Sequence, residues 1–194
     1  MNTLTNWDSE NWLEKFNESK SKEERDLLNK LVFENTVKVV SEGCYSSYSG
    51  KKVYLDLSND ILSGSKIYQD RIEIANSDNT YNSPNIYVVE MDCLECARQI
   101  QISNDEVCVL NNASPRYPGG SVMYGPGAQE EYLCKCSNYY QGLFQYGIND
   151  EIYKKYVSQM AMQRYPLDIN YGGCYVPEIT IFRGTAEQGY RLIQ

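Results

Sequence analysis

The 194-residue chain contains no histidine. This absence excludes Ser-His-Asp and Cys-His nucleophile pairs, the HExxH zinc site and any imidazole proton shuttle. If the chain is an enzyme, its acid–base chemistry must therefore use carboxylates, tyrosine, lysine or cysteine.

Long apolar runs and an excess of basic charge are also missing. No segment reaches the roughly eighteen apolar residues of a membrane-spanning helix, and the N-terminal segment lacks the apolar centre of a signal peptide. Lys and Arg number 18 against 26 Asp and Glu, so the net charge of -8 provides no broad basic field for nucleic acid or anionic lipid. We expect a soluble, unexported, intracellular protein, cytoplasmic or, in a eukaryote, nuclear, that binds neither membranes nor DNA directly.

The seven cysteines are an odd number and lack the regular spacing of a secreted disulfide framework, which favours a reducing compartment. Cys93, Cys96, Cys134 and Cys136 could in principle offer four thiolates to zinc. Because Cys93 and Cys96 fall inside a predicted helix, we favour ordinary buried or half-buried cysteines. We expect no metal and no other cofactor.

Residues 6–43 are predicted to be helical. Ser21 and Glu24 form a capping-box pattern before a row of apolar residues, and Gly43 is a natural helix stop. We expect residues 1–43 to form a helical extension that packs as one unit with a main domain of residues 44–194.

The middle of the chain predicts a strand, a helix and a second strand. Apolar runs at 86–89 and 107–111 are the strands, and Asp92 with Glu95 begins a helix that reaches about residue 102. Other strands are predicted at 53–57, 67–74 and 179–182, a loop at 76–84 and a helix at 150–162. The order indicates an α/β fold whose ligand edge follows residue 111.

A glycine turn follows that edge. Pro118-Gly119-Gly120-Ser121 precedes Gln129-Glu130-Glu131, with a seven-residue spacer between them. Glycine lets backbone N–H groups approach an anion closely. Adjacent helical glutamates point about 100° apart, which indicates different roles: one to accept sugar hydroxyls, the other to act as acid and base. The alternative is that the acidic pair simply stabilises the first turn of a helix.

These segments resemble one known family. The motif Val109-Leu110-Asn111-Asn112-Ala113-Ser114, the glycine turn and the Gln-Glu-Glu triplet together are similar to the microbial-type poly(ADP-ribose) glycohydrolases, which are divergent macrodomains. Residues 92–97 and 175–183 match further family segments, so the resemblance runs from about residue 24 to 184. It implies a three-layer α/β/α macrodomain-like fold with a mixed sheet.

The resemblance also implies roles for particular residues. Glu131 would protonate the ribose–ribose glycosidic oxygen and then activate water, while Glu130 and Asn111 would hold the hydroxyls of the ribose being cleaved. The loop Gly119–Ser121 would wrap the diphosphate with backbone N–H groups, and Gln129 would shape the loop or contact the substrate. The expected ligand is ADP-ribose or poly(ADP-ribose), free or attached to ADP-ribosylated proteins.

Two departures from the family pattern leave alternatives open. Ser121 replaces the third glycine, and its Cβ would be strained if that position needs a positive φ. The family chain continues past the strand at 175–183, so we expect a fold that is incomplete at its C-terminus, with an unprotected sheet edge and self-association. One rival function is a degenerate, non-catalytic module that binds ADP-ribose or another protein. Another is a different nucleotide or phosphosugar binder.

Overall fold

The computed structural model describes residues 4–58, 60–73, 84–103 and 106–194. Two helices open the chain, α1 (Ser9–Glu18) and α2 (Lys22–Glu42). The Ser21 side chain accepts the N–H of Glu24, and Gly43 ends α2 in the left-handed conformation at φ 64°. The predicted helical region, its Ser21 cap and its stop are therefore confirmed, with a break between α1 and α2. The Glu24 carboxylate accepts the N–H of Lys20 at 2.7 Å instead of that of Ser21, so the capping box is only half formed.

The later elements are short. In chain order they are β1 (Cys44–Ser46), β2 (Lys52–Tyr54), α3 (Asp60–Ser63), β3 (Lys66–Tyr68), α4 (Cys93–Gln101), a 3₁₀ turn (Val122–Tyr124), α5 (Gln129–Cys136), α6 (Tyr139–Phe144), α7 (Asp150–Tyr153), β4 (Gly173–Tyr175) and a second 3₁₀ turn (Ala186–Gln188). β1 pairs antiparallel with β2, and β3 with β4. The mixed α/β class expected from the sequence is confirmed.

Several predicted elements differ from the structure. The strand expected at 53–57 ends at Tyr54, and the helix expected at 150–162 ends at Tyr153. The strand expected at 67–74 ends at Tyr68, while residue 74 lies outside the described residues, as do residues 76–83 of the predicted loop. The segment 179–182 forms only an isolated bridge, between Ile181 and Ser137.

The predicted strand–helix–strand unit is correct in its helix and wrong in its two strands. The helix is present as α4, and the Asp92 side chain accepts the N–H groups of Leu94 and Glu95 as predicted. Residues 86–89 and 107–111 form no strand and pair with none of the strands in the described residues. Ile86 and Val88 are 84% and 96% exposed. An apolar run forms a stable strand only when a neighbouring strand completes its hydrogen bonds, and here none does.

An aromatic cluster between α2 and α6 forms the centre of the core. The Phe33 ring meets Tyr140 edge-on at 5.4 Å between centroids, and Phe144 meets Tyr153 at 5.0 Å. Leu143 and Phe144 are fully buried. Such aromatic pairs bury large apolar areas and fix the geometry of the elements that carry them.

Arg183 joins the N-terminal helices to the end of the chain. Its guanidinium is 2% exposed and donates to Thr36 Oγ1 and to the Tyr190 carbonyl, each at 2.8 Å. The Trp7 ring covers it at 5.2 Å, and Trp7 donates its indole N–H to the Gly189 carbonyl. Within the described ranges no carboxylate pairs with Arg183. Burial lowers the pKa of Arg183 to about 10, so it remains charged and depends on neutral acceptors.

No helix in the described part of the chain has both the length and the apolar composition needed to cross a membrane.

Candidate active site

The Gln-Glu-Glu triplet forms the first turn of α5, as the sequence predicts. Ala128 precedes it and has no side chain with which to cap the helix. Glu131 supplies the cap instead, because its Oε2 accepts the Ala128 N–H at 3.1 Å. The arrangement satisfies one of the free N–H groups that every helix start leaves.

Both glutamates point inward against the glycine turn. Glu130 is 3% exposed and Glu131 is 7% exposed. Glu130 accepts the N–H of Gly119 at 3.0 Å on Oε1 and that of Ser114 at 2.8 Å on Oε2. Glu131 accepts the N–H of Ser121 at 2.9 Å on Oε1. The two carboxylates therefore hold the loop from residue 114 to residue 121 in place.

Gly120 lies where the two carboxylates converge. A Cβ at this position would lie 2.3 Å from Glu131 Oε1 and 3.2 Å from Glu130 Oε2, and the backbone has φ +58°. Gly119 has φ +74°, and a Cβ there would lie 2.5 Å from the Phe144 ring. Both positions thus require glycine for space and for backbone conformation. The loop curves so that both carboxylates reach one residue, although their Cα–Cβ directions diverge.

Ser121 is not strained. Its φ is -109°, which any L-residue adopts, so the expected conflict with a left-handed backbone is wrong. The next positive φ in this region belongs to Gly125, at φ +107°, where a Cβ would lie 1.8 Å from the Asp26 carbonyl oxygen. The sequence analysis missed Gly125, although a glycine four residues after the turn was the available signal.

The loop N–H groups already have acceptors in this structure. Those of Gly119 and Ser121 bond to the glutamates, and that of Gly120 bonds to the Tyr117 carbonyl at 3.1 Å. Their predicted contact with a diphosphate stays a prediction. It requires the loop to exchange these internal acceptors for phosphate oxygens.

Gln129 clamps the segment that carries Asn111. Its Oε1 accepts the Asn112 N–H at 2.6 Å and its Nε2 donates to the Leu110 carbonyl at 2.8 Å, so one side chain bonds the backbone on both sides of Asn111. Asn111 Nδ2 lies 3.5 Å from Glu130 Oε1. The structure thus brings all seven predicted site residues together, with Gln129 bonded to the segment that carries Asn111 rather than to the glycine turn.

Burial sets the ionisation of Glu130. The loss of water around this carboxyl, with a smaller contribution from the neighbouring Glu131, raises its pKa to about 7. The hydrogen bonds from Ser114, Gly119 and Asn111 oppose this rise. A carboxyl with such a pKa is partly protonated at neutral pH, which is a property of groups that transfer or share protons in active sites.

Two polar residues beside the glutamates were missed by sequence reasoning. Lys135 is 1% exposed, donates to Asn29 Oδ1 at 3.2 Å and lies 5.0 Å from the centre of the Tyr190 ring. Burial lowers the pKa of Lys135 to about 8. Its position four residues after Glu131 places both on one helix face, a spacing visible in the sequence. Tyr139 contacts Asn111, and no sequence signal indicates that contact.

The cysteines form no disulfide. All seven are free thiols, and Cys134 and Cys136 are buried. Among the described residues no three His, Cys, Asp or Glu side chains are grouped so that they could hold a metal ion. Cys93 lies beside the site instead, with its Sγ 4.0 Å from Gln129 Nε2.

Comparison with solved structures finds a similar fold. The poly(ADP-ribose) glycohydrolase of Thermomonospora curvata bound to the inhibitor ADP-HPD matches with a TM-score of 0.56 at 23% identity, over 86% of this chain and 58% of that chain. Another structure of the same enzyme matches with a TM-score of 0.57 at 23% identity, over 84% of this chain and 61% of that one. The chain therefore spans about three fifths of the length of these structures. Among curated proteins, no sequence matches.

The family comparison covers the site directly. The family described as microbial-type PARG, catalytic domain, where PARG is poly(ADP-ribose) glycohydrolase, matches residues 33–184. This range includes the glycine turn, the Gln-Glu-Glu triplet and the buried Arg183. With the fold and the match agreeing over most of its length, the chain belongs to the family of microbial-type poly(ADP-ribose) glycohydrolase catalytic domains.

Proposed function

We propose that the chain hydrolyses the ribose–ribose glycosidic bonds of poly(ADP-ribose) and releases ADP-ribose, with Glu131 as the acid and base. The observation that carries the proposal is the pair of buried glutamates at the start of α5, both bonded to the glycine turn, in a chain of this family. A buried carboxylate pair beside a loop of backbone N–H groups suits a ligand that combines sugar hydroxyls with an anion.

The proposed reaction needs one residue to act twice. Glu131 donates its proton to the glycosidic oxygen as the bond from the anomeric carbon to that oxygen breaks, which leaves a ribose hydroxyl. The Glu131 carboxylate then takes a proton from water, which restores the protonated acid. The oxygen of that water molecule bonds to the anomeric carbon. The net change is the addition of one water molecule. Glu130 accepts hydrogen bonds from the hydroxyls of the ribose being cleaved, and Asn111 exchanges hydrogen bonds with them through its amide.

The diphosphate would bind to neutral donors. The N–H groups of Gly119, Gly120 and Ser121 would turn from their internal acceptors to phosphate oxygens, which suits a chain with a net charge of -8. Gly119 and Ser121 would exchange a carboxylate for a phosphate oxygen, whereas Gly120 would exchange a neutral carbonyl for one. The hydrogen bond of Gly120 is therefore the one that the phosphate charge strengthens.

One observation favours a second candidate, a module that binds ADP-ribose without cleaving it. The turn N–H groups are satisfied by Glu130, Glu131 and Tyr117, so the loop is complete without a ligand. In such a protein the glutamates would serve the loop rather than the reaction.

Two measurements on the purified chain distinguish these candidates. The first follows release of ADP-ribose from labelled poly(ADP-ribose), and the second measures binding of ADP-ribose, ADP and ATP by calorimetry. Release supports the glycohydrolase, whereas tight binding of ADP-ribose without release supports the non-catalytic module. Equal affinity for ADP and ADP-ribose, with no release, would contradict both, because the proposed site requires the distal ribose.

A further inference from the structure

Tyr139 joins the site from the start of α6. Its ring is buried, with 7% of the residue exposed, and its hydroxyl oxygen accepts a hydrogen bond from Asn111 Nδ2 at 3.0 Å. The same Nδ2 lies 3.5 Å from Glu130 Oε1. A neutral amide has two N–H donors, so one nitrogen can serve both neighbours. Asn111 therefore links the Tyr139 hydroxyl to the Glu130 carboxylate.

The orientation of this amide leaves its oxygen unsatisfied. Asn111 Oδ1 is buried and has no hydrogen-bond partner among the described residues. A buried acceptor without a partner costs free energy, and such groups in native structures commonly have a functional reason. Reversing the amide would let Oδ1 accept from the Tyr139 hydroxyl. It would also place that oxygen against the Glu130 carboxylate, which can only accept when ionised.

We propose that Tyr139 is a positioning residue, which anchors the Asn111 side chain beside Glu130. The Glu130 carboxylate then fixes the orientation of the amide and leaves the amide oxygen for a ribose hydroxyl. The inference rests on the proposed function for the identity of that hydroxyl. It adds a residue from α6 to a site otherwise built from the glycine turn and α5. Tyr139 itself touches neither the scissile bond nor the attacking water in this scheme.

The groups around Glu130 support a role for this link in ionisation. They are Glu131 and Cys134 on α5, Tyr139 on α6, Tyr153 on α7, Tyr165, and Cys174 on β4. Burial raises the pKa of Cys134, Cys174 and the tyrosines, so these groups are neutral near pH 7. The Asn111 hydrogen bond is one of the few contacts that lower the pKa of Glu130. Loosening Asn111 should therefore raise it.

The first test uses the unliganded protein and does not depend on catalysis. In Tyr139→Phe the ring stays and the hydroxyl is lost, and Glu130 is titrated by NMR of ¹³C-labelled glutamate side chains. We expect its titration midpoint to move to higher pH. Tyr140→Phe is the matched control, since Tyr140 is the next residue on α6 and is 1% exposed. Among the described residues the Asn111 amide bonds to Tyr139 and Glu130 and not to Tyr140. An unchanged midpoint in Tyr139→Phe would overturn the proposal.

The second test asks whether Tyr139 acts through Asn111. We expect Tyr139→Phe to weaken ADP-ribose binding about 10-fold, roughly the effect of one lost hydrogen bond, and to have no further effect once Asn111→Ala is present. Equal losses with and without Asn111 would show an independent role and overturn the proposal. Thermal melting of each variant separates these effects from unfolding. If the wild-type chain binds no ADP-ribose, the proposed function fails, while the glutamate titration still decides the role of Tyr139.

Discussion

Gly120 and Glu131 are packed so closely that a Cβ on the glycine would lie 2.3 Å from the glutamate Oε1. Real Cβ atoms do not approach an oxygen so closely, so one of the two must move in any variant. The loop and the proposed acid are therefore a single packing unit.

Gly120→Ala should destabilise the protein and displace Glu131. The steric overlap and the positive φ together should lower the free energy of unfolding by about 3 kcal/mol. Two controls separate the causes. Gly50→Ala has a positive φ but open space and should cost about 1 kcal/mol, while Gly173→Ala has neither problem and should change stability by less than about 0.5 kcal/mol. Urea unfolding of the three variants measures these differences, and equal values would contradict the packing argument.

Glu131→Gln should lower the rate of ADP-ribose release by about 10²–10⁴-fold, because the side chain can no longer give or take the proton. Binding of ADP-ribose should largely persist. The amide also turns one N–H toward Ser121 or Ala128, whose N–H groups both donate to this carboxylate, so we expect some loss of stability as well. Glu14→Gln, at an exposed position of α1, is the control. A normal rate in Glu131→Gln would remove this residue from the mechanism.

The stability contributed by Glu130 should fall as the pH rises. Its pKa is raised from the ordinary 4.5 to about 7 in the folded chain, so between these values the folded state binds more protons than the unfolded state. The contribution is fully present below about pH 4.5 and is lost through about pH 7, a change of up to about 3 kcal/mol. We expect wild-type stability to fall relative to Glu130→Gln across this window. Urea unfolding measures the free energy of unfolding of both proteins at each pH. If the two plots of this free energy against pH run parallel, the pKa of Glu130 is not raised.

Ser121→Gly should bring no gain in affinity for ADP-ribose. With φ at -109° the serine has no strain to relieve, and glycine adds freedom to the unfolded chain. We expect a loss of about 0.5–1 kcal/mol in unfolding free energy. Calorimetry with ADP-ribose measures the affinity, and thermal melting of the same variant measures the loss of stability. Tighter binding would mean that the bound loop adopts a positive φ at this position.

Local side-chain chemistry made both ends of α2 and the start of α4 predictable. Ser21, Gly43 and Asp92 each cap a helix through contacts within four residues, so the sequence alone specifies them. The strands at 86–89 and 107–111 depended on partners far along the chain. Their apolar pattern fits the rule for strands, yet within the described residues no strand lies beside them to complete their hydrogen bonds.

The site shows the same division between local and distant information. Asn111, Gly120 and Glu131 could be grouped in advance because they belong to one short motif. The raised pKa of Glu130 could not be predicted from the sequence, because it depends on burial by several elements. The role of Tyr139 could not be predicted either, since its hydroxyl bonds to the side chain of Asn111, which lies 28 positions earlier in the chain.

The hydrogen bond from Trp7 to Gly189 limits how far the gene can be trimmed for recombinant work. The family match begins at residue 33, within α2, but Trp12 of α1 is 4% exposed and Thr5 is 2% exposed. An expression fragment that began at the match would uncover the buried guanidinium of Arg183 and cut a helix in two. Fragments meant for crystallisation or NMR should therefore start before Thr5, whatever boundary the conserved family region suggests.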